Sequence, residues 1–160
     1  MTGPSHTKGA SRVGQLTDVA PWEAELIMAV RFWMADADSQ AEVWNRFAQS
    51  FGAAEGLAEL RNFEGLLSDL CRFARRPFVR HGLGCTCIGS DEAILQTLVR
   101  EAAYGDLAEA AMIASLIVPA RHAEPVALMA ARVGQAMQRM VQTAPAIAPL
   151  QNKPQDRTLH

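Results

Sequence analysis

Apolar residues recur at spacings of three and four along almost the whole stretch from residue 21 to residue 143, and a chain so patterned buries them by folding as helices. Trp22, Leu26, Ala29, Val30 and Trp33 mark one face of a first helix, with Pro21 suited to its opening turn. Ser39, followed three residues later by Glu42, reads as a capping box for a second helix that carries Val43, Phe47 and Phe51 and stops at Gly52. Leu57, Leu60, Phe63, Leu67, Leu70 and Ala74 form the stripe of a third, longer helix that Pro77 and its neighbours end. Ser90 is placed to cap a fourth helix, and Asp91 and Glu92 suit the positive end of its dipole. Tyr104-Gly105-Asp106 then reads as stop and restart, which makes helices four and five an antiparallel hairpin. Helix five is expected to run through Ile113, Leu116 and Ile117 to Pro119, and helix six to start at about Pro125 and carry Met129, Val133, Met137 and Met140.

The expected fold is therefore all-α: a single compact domain of about six helices, bundle-like or orthogonal, over residues 21–143. A Gly/Cys-rich loop falls between helices three and four. Residues 1–20 are Gly/Ser/Thr-rich, and residues 144–160 carry Pro145, Pro149 and Pro154, so both are expected to be disordered tails. Phe78-Val79 and Ile88 are too brief to count as strands of useful length. With 160 residues, 49% of them hydrophobic, the chain has material for one sizeable core and needs no disulfide or metal merely to stay folded.

Charge and hydropathy exclude several functions. A net charge of −2 argues against a general polyanion binder. A helix-turn-helix around Ala48 and Gly52 would place Glu55 and Glu59 where a recognition helix needs basic or amide side chains, so no nucleic-acid partner is expected. The longest apolar run, Ala110 to Val118 broken by Ser115, is shorter than the roughly 20 residues a membrane span takes. No secretory core is visible near the start, so the expected setting is cytoplasmic, without a membrane partner.

Chemistry concentrates in residues 71–92. All three cysteines, Cys71, Cys85 and Cys87, fall there with His81, among Gly82, Gly84 and Gly89. The segment 71–90 also carries Arg72, Arg75, Arg76 and Arg80 and no acid, whereas residues 21–60 hold seven acids against two bases. His81, Cys85 and Cys87, with Cys71 reaching in from helix three, make a Cys₃His set of the kind that holds structural zinc, and thiolates would also suit iron. The Cys85-Thr86-Cys87 spacing is tighter than usual zinc pairs. Alternatively, Cys85 and Cys87 form a reactive thiol pair, since a helix N-terminus and nearby arginines both favour the thiolate. The plainest alternative packs the cysteines as small hydrophobes, Cys71 first among them.

The four arginines offer forked donors to an anion or an acidic protein partner, or else they balance the C-terminal end of helix three and pair with Asp91, Glu92 or acids of helix one. Signatures of phosphate-binding loops, zinc peptidases and nucleophile elbows are missing from the sequence. The expected function is thus a small non-enzymatic binding or regulatory protein built around this loop. A helical interaction domain with structural cysteines is the alternative, and a thiol-dependent enzyme using Cys85 or Cys87 a remoter one. An apolar-rich bundle of this size often dimerises, so a homodimer is the expected assembly if the chain self-associates.

Overall fold

Six helices form where the apolar spacing requires them. The computed structural model of the protein describes residues 9–143, with α1 at Pro21–Trp33, α2 at Ala37–Phe51, α3 at Ala53–Phe73, α4 at Ser90–Ala103, α5 at Leu107–Ala114 and α6 at Ala120–Thr143. They make one mostly helical, compact domain. Helix α6 is its hub and packs against each of the other five. Its inward face is Ala123, Val126, Ala127, Ala130, Val133, Gly134, Met137 and Met140, all buried, at the three-four spacing of a helix stripe. Many of these are small, so the partner helices approach closely. Around them Leu26 and Val30 of α1, Phe47 of α2, Phe63 and Leu66 of α3, and Leu98 and Val99 of α4 complete the core. The Phe63 ring meets Phe47 at 5.8 Å and stands edge-on to Trp33 at 6.1 Å.

Several boundaries differ from the sequence reading, each for a local reason. Helix α2 is capped by Asp36, not Ser39, because the Asp36 carboxylate reaches the Ser39 N–H at 2.7 Å. That bond holds the Asp36 carboxyl below its usual range. Gly52 at φ +81° does end α2, and Gly105 at φ +93° separates α4 from α5. Asp106 caps α5 through the Glu109 N–H at 3.0 Å, as the sequence suggests. Helix α5 stops at Ala114 instead of reaching Pro119: the Leu116 and Ile117 N–H groups bond three residues back, to Ile113 and Ala114, and Arg75 bonds the Ile117 and Ser115 carbonyls past the helix. Helix α6 begins five residues before Pro125. Pro125, which has no N–H for the Arg121 carbonyl, lies with Arg121 on the exposed side of the helix.

The largest departure lies near the start. Residues 12–15, expected within a disordered tail, form strand β1 (Arg12–Gln15), antiparallel to β2 (Cys87–Gly89). A short 3₁₀ turn, Leu16–Asp18, follows β1. Leu16 joins Ile27, Met28 and Ile88 in a small second apolar cluster, which gives the segment one apolar anchor beside its backbone bonds. Residues 1–8 and 144–160 lie outside the described residues, so the tail readings there have no counterpart in the structure.

Close packing of α4 on α6 has a testable cost. A Cβ at Gly134 would sit 2.6 Å from the Ala103 Cβ and 3.0 Å from the Val99 carbonyl oxygen. Gly134→Val should therefore lower stability by about 3 kcal/mol, at the upper end of overpacking effects. Gly82→Ala, with nothing near its Cβ, should change it by less than about 0.5 kcal/mol. Urea titrations followed by helical circular dichroism would measure both.

Candidate functional site

The loop between α3 and β2 is organised around one side chain that the sequence reading passed over. Arg31 stands in the apolar run Leu26–Trp33 of α1 and is completely buried. Its Nε and Nη2 grip both carboxylate oxygens of Glu92 in the first turn of α4, at 2.7 and 2.9 Å. Its remaining donors go to loop carbonyls: Nη2 to Cys87 at 2.7 Å, and Nη1 to Cys85 at 2.6 Å and Gly82 at 3.3 Å. All five guanidinium N–H groups are thereby used. Glu92 closes the same account from the other side. Oε1 also accepts the His81 N–H at 3.0 Å and Oε2 the Gly89 N–H at 2.9 Å, so four donors fill its lone pairs. Gly89, not Ser90, is the capping position, and Glu92 supplies the reciprocal bond of a capping box.

Asp91 fastens the other end of the loop. It takes Arg76 in a two-pronged pair at 2.7 and 2.9 Å and accepts the Val79 N–H at 2.8 Å. Its own N–H reaches back to the Gly9 carbonyl at 3.0 Å. Gly9 has φ +96°, and a Cβ there would lie 2.1 Å from Asp91 Oδ2, so only glycine fits the close approach.

The expected ligand residues separate into one close pair and two others. His81 Nδ1 lies 3.4 Å from Cys85 Sγ, while its Nε2 lies 2.7 Å from the Ala10 carbonyl oxygen. A carbonyl only accepts, so Nε2 carries the proton and the Nδ1 lone pair faces the thiol. Cys87 Sγ accepts from Gln15 Nε2 of β1 at 3.4 Å. Cys71, expected to pack in the core, is exposed on α3 because the buried face of that helix turns through Leu66, Leu67 and Leu70 instead. Local burial nonetheless pushes its thiol up. Among the described residues no three His, Cys, Asp or Glu side chains form a group that could hold a metal ion.

Nor do the four arginines converge. Arg76 is joined to Asp91, Arg80 donates to the Met34 carbonyl at 3.1 Å, Arg75 to the Ser115 carbonyl, and Arg72 lies 5.3 Å from the Phe73 ring centre. Arg75 and Arg76 line a small pocket of about 240 Å³ with Phe78, Asp91, Ile94, Leu116 and Ile117. A larger apolar groove of about 430 Å³ opens between α1, α2 and Met140, away from the loop. Neither His81 nor Cys85 lines either of these two pockets. No helix among the described residues is long and apolar enough to cross a membrane. Compared with known protein families, curated proteins and solved structures, the chain finds no match.

Removing one partner from the buried pair should expose what it does. Burial acts to raise the Glu92 carboxyl, but the Arg31 guanidinium and the Gly89 and His81 N–H groups outweigh it and hold the group below 4.5. Stability from this carboxylate is thus fully present above its ordinary value and is lost as pH falls through the lower folded value. Glu92→Gln should cost about 3–5 kcal/mol at neutral pH, because it leaves Arg31 charged and unpaired. It should also flatten the decline of the urea midpoint below about pH 5 relative to the unchanged protein.

Proposed function

We propose that this chain is a small regulatory protein whose reactive group is the Cys85 thiol, with His81 as its base and the loop around Arg31 as the rigid mount. The observation that carries this reading is the His81–Cys85 contact together with the second hydrogen bond that sets the imidazole tautomer. A nucleophile beside a base that a third group orients is the common arrangement of activated thiols. Here the orienting group is a backbone carbonyl, which cannot rotate away as a side chain can.

The same contacts favour thiol chemistry over a bound zinc or iron. Both His81 nitrogens already have partners, and Cys87 turns to Gln15. Three cysteines with no disulfide among them suit a reducing, cytoplasmic setting. For an acidic protein partner, Arg72 and Arg75 are the two of the four loop arginines that are exposed and, among the described residues, in no ion pair. We infer that such a partner would approach there, beside the loop.

Alkylation by iodoacetamide at neutral pH, followed residue by residue with mass spectrometry, tests the proposal. Cys85 should react first, Cys71 slowly despite its exposure, and His81→Gln should slow Cys85 by at least about tenfold. Equal rates at Cys85 and in an unfolded cysteine peptide would sink the reading. Elemental analysis of protein purified without chelator should find zinc and iron well below one equivalent, and a stoichiometric metal would replace the thiol reading with the metal one.

A further inference from the structure

We propose that modification of Cys85 releases the N-terminal segment, residues 9–16, from the loop, so that the thiol's chemical state is read out as docking or undocking of β1. The inference rests on the Cys85 reading above and names how that site would regulate.

Besides the Gly9 carbonyl on the Asp91 N–H and Leu16 against Ile27 and Met28, the contacts of the segment are to residues around the thiol. The Ala10 carbonyl accepts from the same imidazole that faces Cys85. Gln15 donates to Cys87 Sγ, and the Leu16 N–H to the Thr86 carbonyl at 2.8 Å, between the two cysteines. Strand pairing runs Arg12 to Gly89, Gly14 to Ile88 and Gln15 to Cys87. Within residues 9–16, Leu16 is the buried apolar side chain, whereas Val13 is 57% exposed. Apolar anchoring is thin, and polar contacts to the loop decide whether the segment stays.

The imidazole is half-buried and packs against Gly89 on one side. A Cβ on Gly89 would lie 2.8 Å from His81 Nε2 and 3.3 Å from the Gly9 carbonyl oxygen, so ring, Gly89 and the Gly9–Ala10 backbone are stacked in contact. On the other side, 3.4 Å to Cys85 Sγ admits no further heavy atom between them. With a hydroperoxide as oxidant, the Cys85 proton passes to His81 Nδ1 and the sulfur attacks the terminal peroxide oxygen. The S–O bond forms as the O–O bond breaks, and the leaving alkoxide takes the proton back from His81. The sulfenic acid then carries an added oxygen at the crowded position. The ring must shift, and its shift breaks the bond to Ala10 and presses on Gly89, the partner of Arg12.

Hydrogen exchange read by mass spectrometry on the full chain tests this, in a Cys71→Ser/Cys87→Ser variant so that only Cys85 reacts. Methyl methanethiosulfonate, driven to completion, places an S–CH₃ on Cys85 whether or not the thiol is unusually fast. Amide exchange in residues 10–16 should accelerate by at least about tenfold, helices α1 to α6 should keep their protection, and dithiothreitol should restore the original pattern. Gly9→Val, which cannot fit against Asp91, supplies the exchange rate of a released segment for comparison. Unchanged exchange in fully modified protein overturns the proposal, as does loss of protection throughout the helices. Slow alkylation by iodoacetamide would instead defeat the reactive-thiol reading while the release measured here still stood.

Discussion

A charged side chain buried in the last turn of a helix has to be neutralised, and in this protein the solution to that problem shapes the whole region between α3 and α4. Arg31 brings a full positive charge to a place where water does not reach. An isolated charge there would be far too costly. The chain answers with one carboxylate and three carbonyls, drawn from Glu92, Gly82, Cys85 and Cys87. Those groups converge only if the loop bends back over α1, so the loop's path follows from the need to satisfy a guanidinium. Replacing the pair by apolar residues would not reproduce the arrangement. The N–H groups of His81 and Gly89 and the three carbonyls would then be orphaned together.

Seen from the loop, this scaffolding explains how Cys85 and His81 are held in place outside any helix or strand. Cys85 and His81 lie in no helix or strand, yet each has a backbone group tied into the Arg31–Glu92 assembly: the Cys85 carbonyl to Arg31 and the His81 N–H to Glu92. Precision of this kind usually comes from side chains built on rigid elements. Here it comes from a buried ion pair whose two ends belong to α1 and α4, so the loop inherits the rigidity of both helices. The arginines that gave the loop its positive character serve the same purpose, Arg76 through Asp91 and Arg80 through Met34.

How legible this was in the sequence depended on whether the signal was local. Helices α3 and α4 follow from apolar spacing, and Gly52, Gly105 and Asp106 from turn chemistry, because each concerns residues a few positions apart. The Ser39–Glu42 spacing read as a capping box, but the cap is Asp36, whose carboxylate accepts the Ser39 N–H. The extent of α5 was hidden because Leu116 and Ile117 keep the apolar spacing while their N–H groups bond three residues back instead of four. Strand β1 was invisible for a similar reason: its partner lies more than seventy residues away, and Leu16 alone hardly registers as a pattern. The site was half legible. The cluster of Cys85, Cys87 and His81 stood out by composition, but not which of them would meet. Arg31 carried a signal that went unused, a lone cation inside Leu26–Trp33, which a buried carboxylate had to answer.

The central position of α6 bears on how the chain acquires its structure. It is the last of the six helices to be synthesised, yet it packs against all five others. Until it emerges, α1, α3 and α4 have apolar faces with no common surface to close on. Their pairing with it joins residues far apart along the chain, an expensive loop closure by the standards of helical proteins. Folding of this domain therefore waits for α6 to be synthesised, and the half-made domain is the state in which apolar surface most needs protection from neighbouring chains.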